Sequence, residues 1–361
     1  MPDPTDAVDR ILIREAEQAL VRARHVVVID DESAALAGLV CDALGPVGES
    51  RVRAYTDSAA TQRALTDLAT RHSIHIAAEL DAGLLGDADL VLLRLPKSLA
   101  ALDETAAAVA RLAAPGVRLY AAGRVKHMSR GMNACLARHF GSVRASLGQQ
   151  KARVLVATGA RPDLPATEPH TQRHDDLRVT LVAYGGTFAG SEVDLGSRLM
   201  IQCFDRLPVG PRTVVDLGSG SGLLAVLVAE QRPQAQVIAI DDSRAAIRST
   251  TATAAANGVA ERVSSRLADR LHNVDTGSVD LVVCNPPFHR GTSRDSSAAY
   301  AMFVDAGRVL RPGGELWVVY NSHLPYLPAL RRVLGRTLVL AQNPAFTVAR
   351  AVRRQGPFRT A

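Results

Sequence analysis

Short runs of branched apolar residues alternate along this chain with longer stretches of helical period, and few folds accept that pattern. Residues 25–31, 51–55, 74–77, 89–97 and 117–121 read as strands. Helices are expected between them at 33–43, 57–71 and 99–113. An amphipathic helix at 7–24 precedes them, with Val8, Ile11, Leu12, Ala16, Ala19 and Leu20 at helical spacing. Strands that are apolar throughout belong to a sheet covered on both faces. The order specifies an α/β fold with a mostly parallel sheet. Apolar segments at 143–147 and 152–158 read as a closing hairpin.

The pattern then starts again. A polar, proline-rich stretch at 159–176 reads as a linker, which gives expected domains at 1–158 and 177–361. His170 and His174 lie in it at i, i+4 spacing and read as solvated, because no other metal-ligand type clusters nearby. Beyond it, strands are expected at 177–184, 213–217, 236–240, 262–267, 279–284 and 315–320. Helices are expected at 194–206, 223–231, 243–256, 296–310 and 326–334, with a last hairpin at 337–341 and 346–352. Two features recur in both halves. An apolar strand stopped by proline runs from Leu90 to Pro96 and again from Leu281 to Pro287. Ala114-Pro115-Gly116 precedes a strand, as Arg311-Pro312-Gly313-Gly314 does. The first half has no glycine-rich turn after 26–29, and it carries Leu95-Pro96-Lys97 where the second carries Asn285-Pro286-Pro287. The expectation is two tandem Rossmann-like domains from a duplication, the first degenerate, the second ending in an antiparallel hairpin.

Chemistry concentrates in the second half. Asp216-Leu217-Gly218-Ser219-Gly220-Ser221-Gly222 joins a strand to a helix, and its glycines allow a tight turn and a close approach of ligand to backbone. Asp241 closes the next strand, placed for ribose hydroxyls, and Asp269 closes the third, near where an adenine amino group would lie. The dinucleotide spacing GxGxxG fits poorly, since position 223 is Leu. An acid directly before the loop suits a cationic amino-acid ligand better than a pyrophosphate, which favours S-adenosylmethionine over NAD. The strand ending at Cys284 runs into Asn285-Pro286-Pro287-Phe288. Neither proline donates an N–H and each fixes its φ. What remains is rigid acceptors, Asn285 Oδ1 and the Pro286 carbonyl, beside the Phe288 ring, a combination suited to a planar amine.

The segment 212–352 resembles class I S-adenosylmethionine-dependent methyltransferases. The whole chain resembles the two-domain bacterial ribosomal RNA guanine-N2 methyltransferases, nearer their large-subunit type. The matching residues are Thr187-Phe188, Asp194-Leu195-Gly196-Ser197-Arg198, the run from Asp216 to Gly222, Ile240-Asp241-Asp242-Ser243, Asn285-Pro286-Pro287-Phe288-His289, Leu310-Arg311-Pro312-Gly313-Gly314, Asn321-Ser322-His323 and Asn343-Pro344-Ala345-Phe346. Ser219 and Ser221 depart from the Cys and Asn frequent in that loop. The resemblance implies methyl transfer from S-adenosylmethionine to the N2 amine of a guanine in ribosomal RNA. Asn285, Pro286, Pro287 and Phe288 would then be catalytic. Asp216, Gly218, Ser219, Gly220, Gly222, Asp241, Asp269 and Asn285 would bind cofactor, and the first domain would engage RNA.

Composition agrees and excludes little. The net charge is +6 and lysine occurs only at 97, 126 and 151, so the positive charge is mostly arginine. That balance favours a polyanionic partner such as ribosomal RNA or a ribosomal subunit, although an arginine-rich background would produce it too. Cys41, Cys135, Cys203 and Cys284 are scattered without a CxxC pair and read as buried, reduced thiols. No apolar run is long enough to span a bilayer, and the acidic N-terminus lacks a signal-peptide layout. A cytoplasmic monomer without metal is expected. The loop chemistry alone leaves open a DNA-adenine or protein-glutamine methyltransferase, and a non-catalytic RNA-binding module with a relic cofactor site. A nicotinamide-dependent dehydrogenase is opposed by the glycine spacing.

Overall fold

Both halves of the chain build the same seven-stranded sheet. The computed structural model describes residues 6–45, 51–286, 293–356 and 358, with backbone alone for 293–298. It divides into two units, Met1–Glu168 and Pro169–Ala361. The first unit runs α1 (Ala7–Arg22), β1 (Val26–Ile29), α2 (Ala35–Leu44), β2 (Val52–Tyr55), α3 (Ala59–Ala69), β3 (Ile74–Ile76), α4 (Ala82–Leu85), β4 (Leu90–Arg94), α5 (Leu99–Leu112), β5 (Arg118–Arg124), α6 (Arg130–His139), β6 (Phe140–Ala145) and β7 (Ala152–Ala160). Its strand order is β3-β2-β1-β4-β5-β7-β6, parallel as far as β5 and closed by the antiparallel β7 and β6.

The second unit opens with a separate hairpin, β8 (His170–His174) and β9 (Val179–Ala183). It continues through α7 (Leu195–Ile201), β10 (Thr213–Leu217), α8 (Leu223–Gln231), β11 (Gln236–Asp241), α9 (Arg244–Ala256), β12 (Val263–Leu267), β13 (Val279–Cys284), α10 (Ser293–Val309), β14 (Leu310–Asn321), α11 (Tyr326–Val333), β15 (Thr337–Gln342) and β16 (Phe346–Val352). The order β12-β11-β10-β13-β14-β16-β15 repeats the first sheet position for position. The stretch 159–176 therefore holds strand residues at both of its ends. His174 is buried, not solvated, with Nε2 2.7 Å from the Ser191 carbonyl, because β8 pairs with β9.

Apolar residues leave both faces of each sheet for separate cores. Val26 and Val28 pack on one side, Val27 and Ile29 on the other. Val214 is divided from Val215 and Leu217 in the same way. Asp216 stands among these residues, fully buried. The edge of β9 is satisfied by one face of α9. Ser249, Thr253 and Asn257 recur every four residues and accept from the N–H groups of Tyr184, Val182 and Thr180 at 2.9, 3.0 and 2.9 Å. All four cysteines are free and buried. No helix among the described residues is long and apolar enough to cross a membrane.

The loop after the first strand is where the copies differ in residues but not in path. Gly218 (φ 80°) and Gly222 (φ 83°) are left-handed, as glycine permits. Asp30 (φ 56°) and Ala34 (φ 64°) stand at the same two positions of the first unit. Asp30 N–H donates to the Tyr55 carbonyl at 2.9 Å, as Gly218 N–H donates to that of Ile240 at 2.8 Å. Ala34 and Gly222 each stand directly before the following helix. A side chain in this conformation costs about 1–2 kcal/mol. The first unit thus keeps the backbone of a glycine-rich turn after losing the glycines.

Gly222 is the less replaceable, because a Cβ there would lie 2.8 Å from Thr250 Cα. Gly222→Ala is expected to destabilise the second unit by about 2 kcal/mol or more. Urea unfolding followed by Trp317 fluorescence measures this, and an unshifted midpoint would refute the packing described.

Candidate active site

The site forms where β10, β11, β12 and β13 end on one side of the second sheet, the usual ligand edge of an open α/β fold. Two backbone bonds hold the glycine loop against β11, from Gly218 and Ser219 N–H to the Ile240 carbonyl at 2.8 and 3.1 Å. Thr250, on α9, clamps it from the other side. Its hydroxyl lies 3.0 Å from Ser219 Oγ and donates to the Gly220 carbonyl at 3.2 Å. A Cβ built on Gly220 would meet nothing within 4 Å, and one on Gly218 would approach only the Asn285 carbonyl, at 3.7 Å. The loop surface is therefore open to a ligand, and the β13 end stands beside it.

Three carboxylates surround this cradle. Asp216 Oδ2 accepts from Ala225 N–H at 3.0 Å, whereas Oδ1 is buried without a partner. Burial pushes its carboxyl up to about 7; the Ala225 N–H opposes the rise and Asp241 adds to it. An orphaned acceptor of this kind is expensive unless a donor reaches it, and a cationic ligand supplies one. Asp241 accepts from Gly220 N–H through Oδ2 and from Ser243 N–H through Oδ1, both at 2.9 Å. The carboxylate is thus braced in one orientation, and its oxygens keep lone pairs for ribose hydroxyls. Ala268 N–H donates to the Asp241 carbonyl at 2.9 Å, and half-buried Asp269 lies two residues past Leu267, the β12 residue in register with Asp241. These residues fit an S-adenosyl ligand with a positive amino-acid end and a ribose.

At the end of β13, Asn285 is half-buried and Pro286 buried. Pro287 and Phe288 lie outside the described residues. Asn285 Nδ2 donates to Asp194 Oδ1 at 3.2 Å and to Ser197 Oγ at 3.0 Å. A carboxylate only accepts, so the amide nitrogen must face Asp194, and Oδ1 is turned the other way. Asp194 is itself fixed as the N-cap of α7, accepting from Gly196 and Ser197 N–H at 3.0 Å each. The sequence singled out Asn285 but gave Asp194 and Ser197 no role. Their visible signals are the capping pattern before α7 and their place in the stretch from Asp194 to Arg198 that carries the resemblance. Thr250 had no signal at all.

The first unit shows what the same framework does without the chemistry. Strand pairing sets Leu93 against Ile29 and Cys284 against Leu217, so Arg94, not Leu95, stands at the position of Asn285. Pro96 then corresponds to Pro287. Asp6, the N-cap of α1, and Asp9, three residues on, hold the Arg94 guanidinium, with Asp6 at 3.1 Å. Glu32 adds a third contact at 3.2 Å. These carboxylates raise the Arg94 pKa despite its burial. Thr56 replaces Asp241 and offers Oγ1 to Ser58 N–H at 3.3 Å. Asp31 Oδ2 accepts from Ala37 N–H at 2.9 Å, as Asp216 does from Ala225, but its Oδ1 is taken by Ser33 N–H, so the first unit lacks the orphaned oxygen of Asp216 and any counterpart of Asp241 and Asn285.

Ligand binding at Asp216 carries a pH signature. The carboxyl of the free protein titrates near 7, and a cationic partner favours its ionised form. A proton must therefore leave on binding below that pH, and affinity falls as pH falls. Isothermal titration with S-adenosylmethionine is expected to give weaker binding at pH 6.0 than at pH 7.4, by up to about tenfold per pH unit. Asp216→Asn should bind more weakly and lose this dependence. A pH-independent wild-type affinity would remove Asp216 from the site.

Comparison with known proteins matches both units. Residues 178–350 match the methyltransferase small domain, and residues 3–161 match the RLMG N-terminal domain. The chain is 34% identical over 353 residues to ribosomal RNA large subunit methyltransferase G of Pseudomonas syringae pv. tomato, covering 96% of this chain and 92% of that protein. It is 37% identical over 272 residues to the protein of the same name from Streptomyces coelicolor, covering 73% and 72%. Among solved structures, a T. thermophilus 16S rRNA N2 methyltransferase in complex with AdoMet and guanosine superposes with a TM-score of 0.80 at 24% identity, over 98% of this chain and 93% of that one. That likeness shows the two-unit fold. The chain belongs to the ribosomal RNA large subunit methyltransferase G family; it is a methyltransferase, and its cofactor is S-adenosylmethionine.

Proposed function

We propose that this member of the ribosomal RNA large subunit methyltransferase G family methylates the exocyclic N2 amine of a guanine in ribosomal RNA. The named relatives support the RNA substrate. The observation that carries the chemistry is Asn285, whose Nδ2 is occupied by Asp194 and Ser197 so that Oδ1 is left to accept.

S-adenosylmethionine supplies an activated methyl on a sulfonium, so the protein has chiefly to align and desolvate the acceptor. An exocyclic amine is a weak nucleophile because its lone pair is delocalised into the ring. Asn285 Oδ1 and the Pro286 carbonyl accept its two hydrogens and hold the nitrogen toward the methyl. Those bonds strengthen as positive charge develops on the nitrogen, so they act more on the transition state than on the ground state. Pro286 keeps the backbone from relaxing. The nitrogen sheds its proton after transfer, and no strong general base is required. A paired guanine must first leave its helix, at a few kcal/mol. Phe288 is the proposed stacking partner of the extruded base. The first unit contributes RNA contact. Buried, reduced thiols suit the cytoplasm, the compartment where we place the reaction.

Asn285→Ala is expected to abolish methyl transfer while leaving cofactor affinity within about twofold. Asp241→Ala should weaken that affinity at least tenfold, about 1.4 kcal/mol. Titration calorimetry reads the binding. Tritium transfer to ribosomal RNA, followed by digestion to nucleosides, reads the product. Label in N2-methylguanosine supports the proposal; label in another nucleoside or in ribosomal protein, or full activity in Asn285→Ala, overturns it.

A further inference from the structure

The first unit contains a cavity of about 270 Å³ between the start of α6 and the β6–β7 hairpin. Arg130 and Arg153 line it with Ser129 and Asn133, over apolar walls from Val125 and Met128, and no carboxylate is present. Arg153 Nε is buried and has no hydrogen-bond partner. Neither arginine forms an ion pair among the described residues. Ser129, the residue before α6, makes no capping bond with its side chain.

The second unit closes the corresponding place with neutral groups. Arg153 is paired with Gly123 in β5, and Thr347 occupies that position opposite Tyr320 in β14. Thr347 is 1% exposed and lies 2.8 Å from Ser322 Oγ. Tyr326, the first residue of α11 as Arg130 is of α6, packs against Phe303 and Tyr320, with ring centroids 5.4 and 5.3 Å away. A satisfied aromatic and hydroxyl plug in one copy is thus two unpaired guanidiniums around a cavity in the other. Arg130 is exposed and Arg153 half-buried with its Nε enclosed, and arginine presents a planar fork that matches phosphate.

We propose that this cavity binds a backbone phosphodiester of the RNA substrate. It falls just below the roughly 300–1,000 Å³ of small-molecule sites, enough for a phosphate with part of its sugar. The two arginines contact the non-bridging oxygens, the Ser129 hydroxyl and Asn133 amide donate beside them, and the apolar wall takes the ribose. No base edge is read there, so the contact fixes position and carries no sequence information. The assignment rests on ribosomal RNA being the substrate.

The test is the salt dependence of RNA binding by the full chain. Arg130→Gln/Arg153→Gln should bind a ribosomal RNA fragment at least tenfold more weakly at low salt. The slope of log K against log salt should fall by about 1, as for one lost phosphate contact. Turnover at saturating RNA and the affinity for S-adenosylmethionine should be unchanged. Arg130→Lys/Arg153→Lys keeps the charges and should retain most of the slope, which separates charge from packing. A glutamine variant with wild-type affinity and slope would overturn this site while leaving the methyltransferase reading intact. So would a lysine variant as weak as the glutamine one. A wild-type chain that methylates no ribosomal RNA would overturn the reading itself.

Discussion

The hydrogen bonds from Asn285 Nδ2 to Asp194 and Ser197 are the constraint on which the site depends. An asparagine amide can face either way, and only one way presents an acceptor to an amine. Asp194 decides, because a carboxylate accepts and never donates. Its own position is secured by capping α7. The orientation of one catalytic oxygen is thus tied to the start of a helix, and β13 brings that oxygen beside the glycine loop through Gly218. The loop is tied in turn to β11 by Ile240 and to α9 by Thr250.

Duplication makes the same constraint visible twice. In the first unit the two N-terminal positions of α1 again grip the residue at the end of the strand beside β1, but the grip is Asp6 and Asp9 on Arg94. A polar clasp that aims an amide has become an ion-pair network that fills the space. Burial pushes Asp30, at the position of Gly218, up to about 7 as well. A carboxyl here would crowd a ligand that needs the bare backbone. Geometry survived where residues did not, because the sheet and its helices require the same turn whether or not anything binds.

Much of this was legible in the sequence. Apolar runs and their stops mark both sheets, and Asp216, Asp241 and Asn285 stand out because each lies at or next to the end of a strand. Other parts were hidden for physical reasons. Asp194 looks like any helix cap, and its partner lies 91 residues away. Arg94 was missed because matching the first prolines sets Leu95 against Asn285, whereas strand pairing shifts the register by one. Nothing in the identity of Asp30 or Ala34 announces a left-handed backbone. The burial of His174 is hidden because β8, a five-residue polar strand, shows no hydrophobic alternation. Pro287 and Phe288, the other half of the proposed acceptor loop, lie outside the described residues.

The account stands on the aiming of Asn285, and the direct measurement removes the aim without removing the residue. Asp194→Ser keeps a good helix cap but is too short to reach the amide, and Ser197→Ala deletes the second acceptor. Single-turnover methyl transfer by this double variant should fall about ten- to hundredfold, about 1.4–2.7 kcal/mol of transition-state stabilisation, with cofactor affinity unchanged. Adding Asn285→Ala should then give a triple variant no slower than Asn285→Ala alone, as expected for residues acting as one unit. A double variant within twofold of wild type, or losses that simply add, would contradict the account.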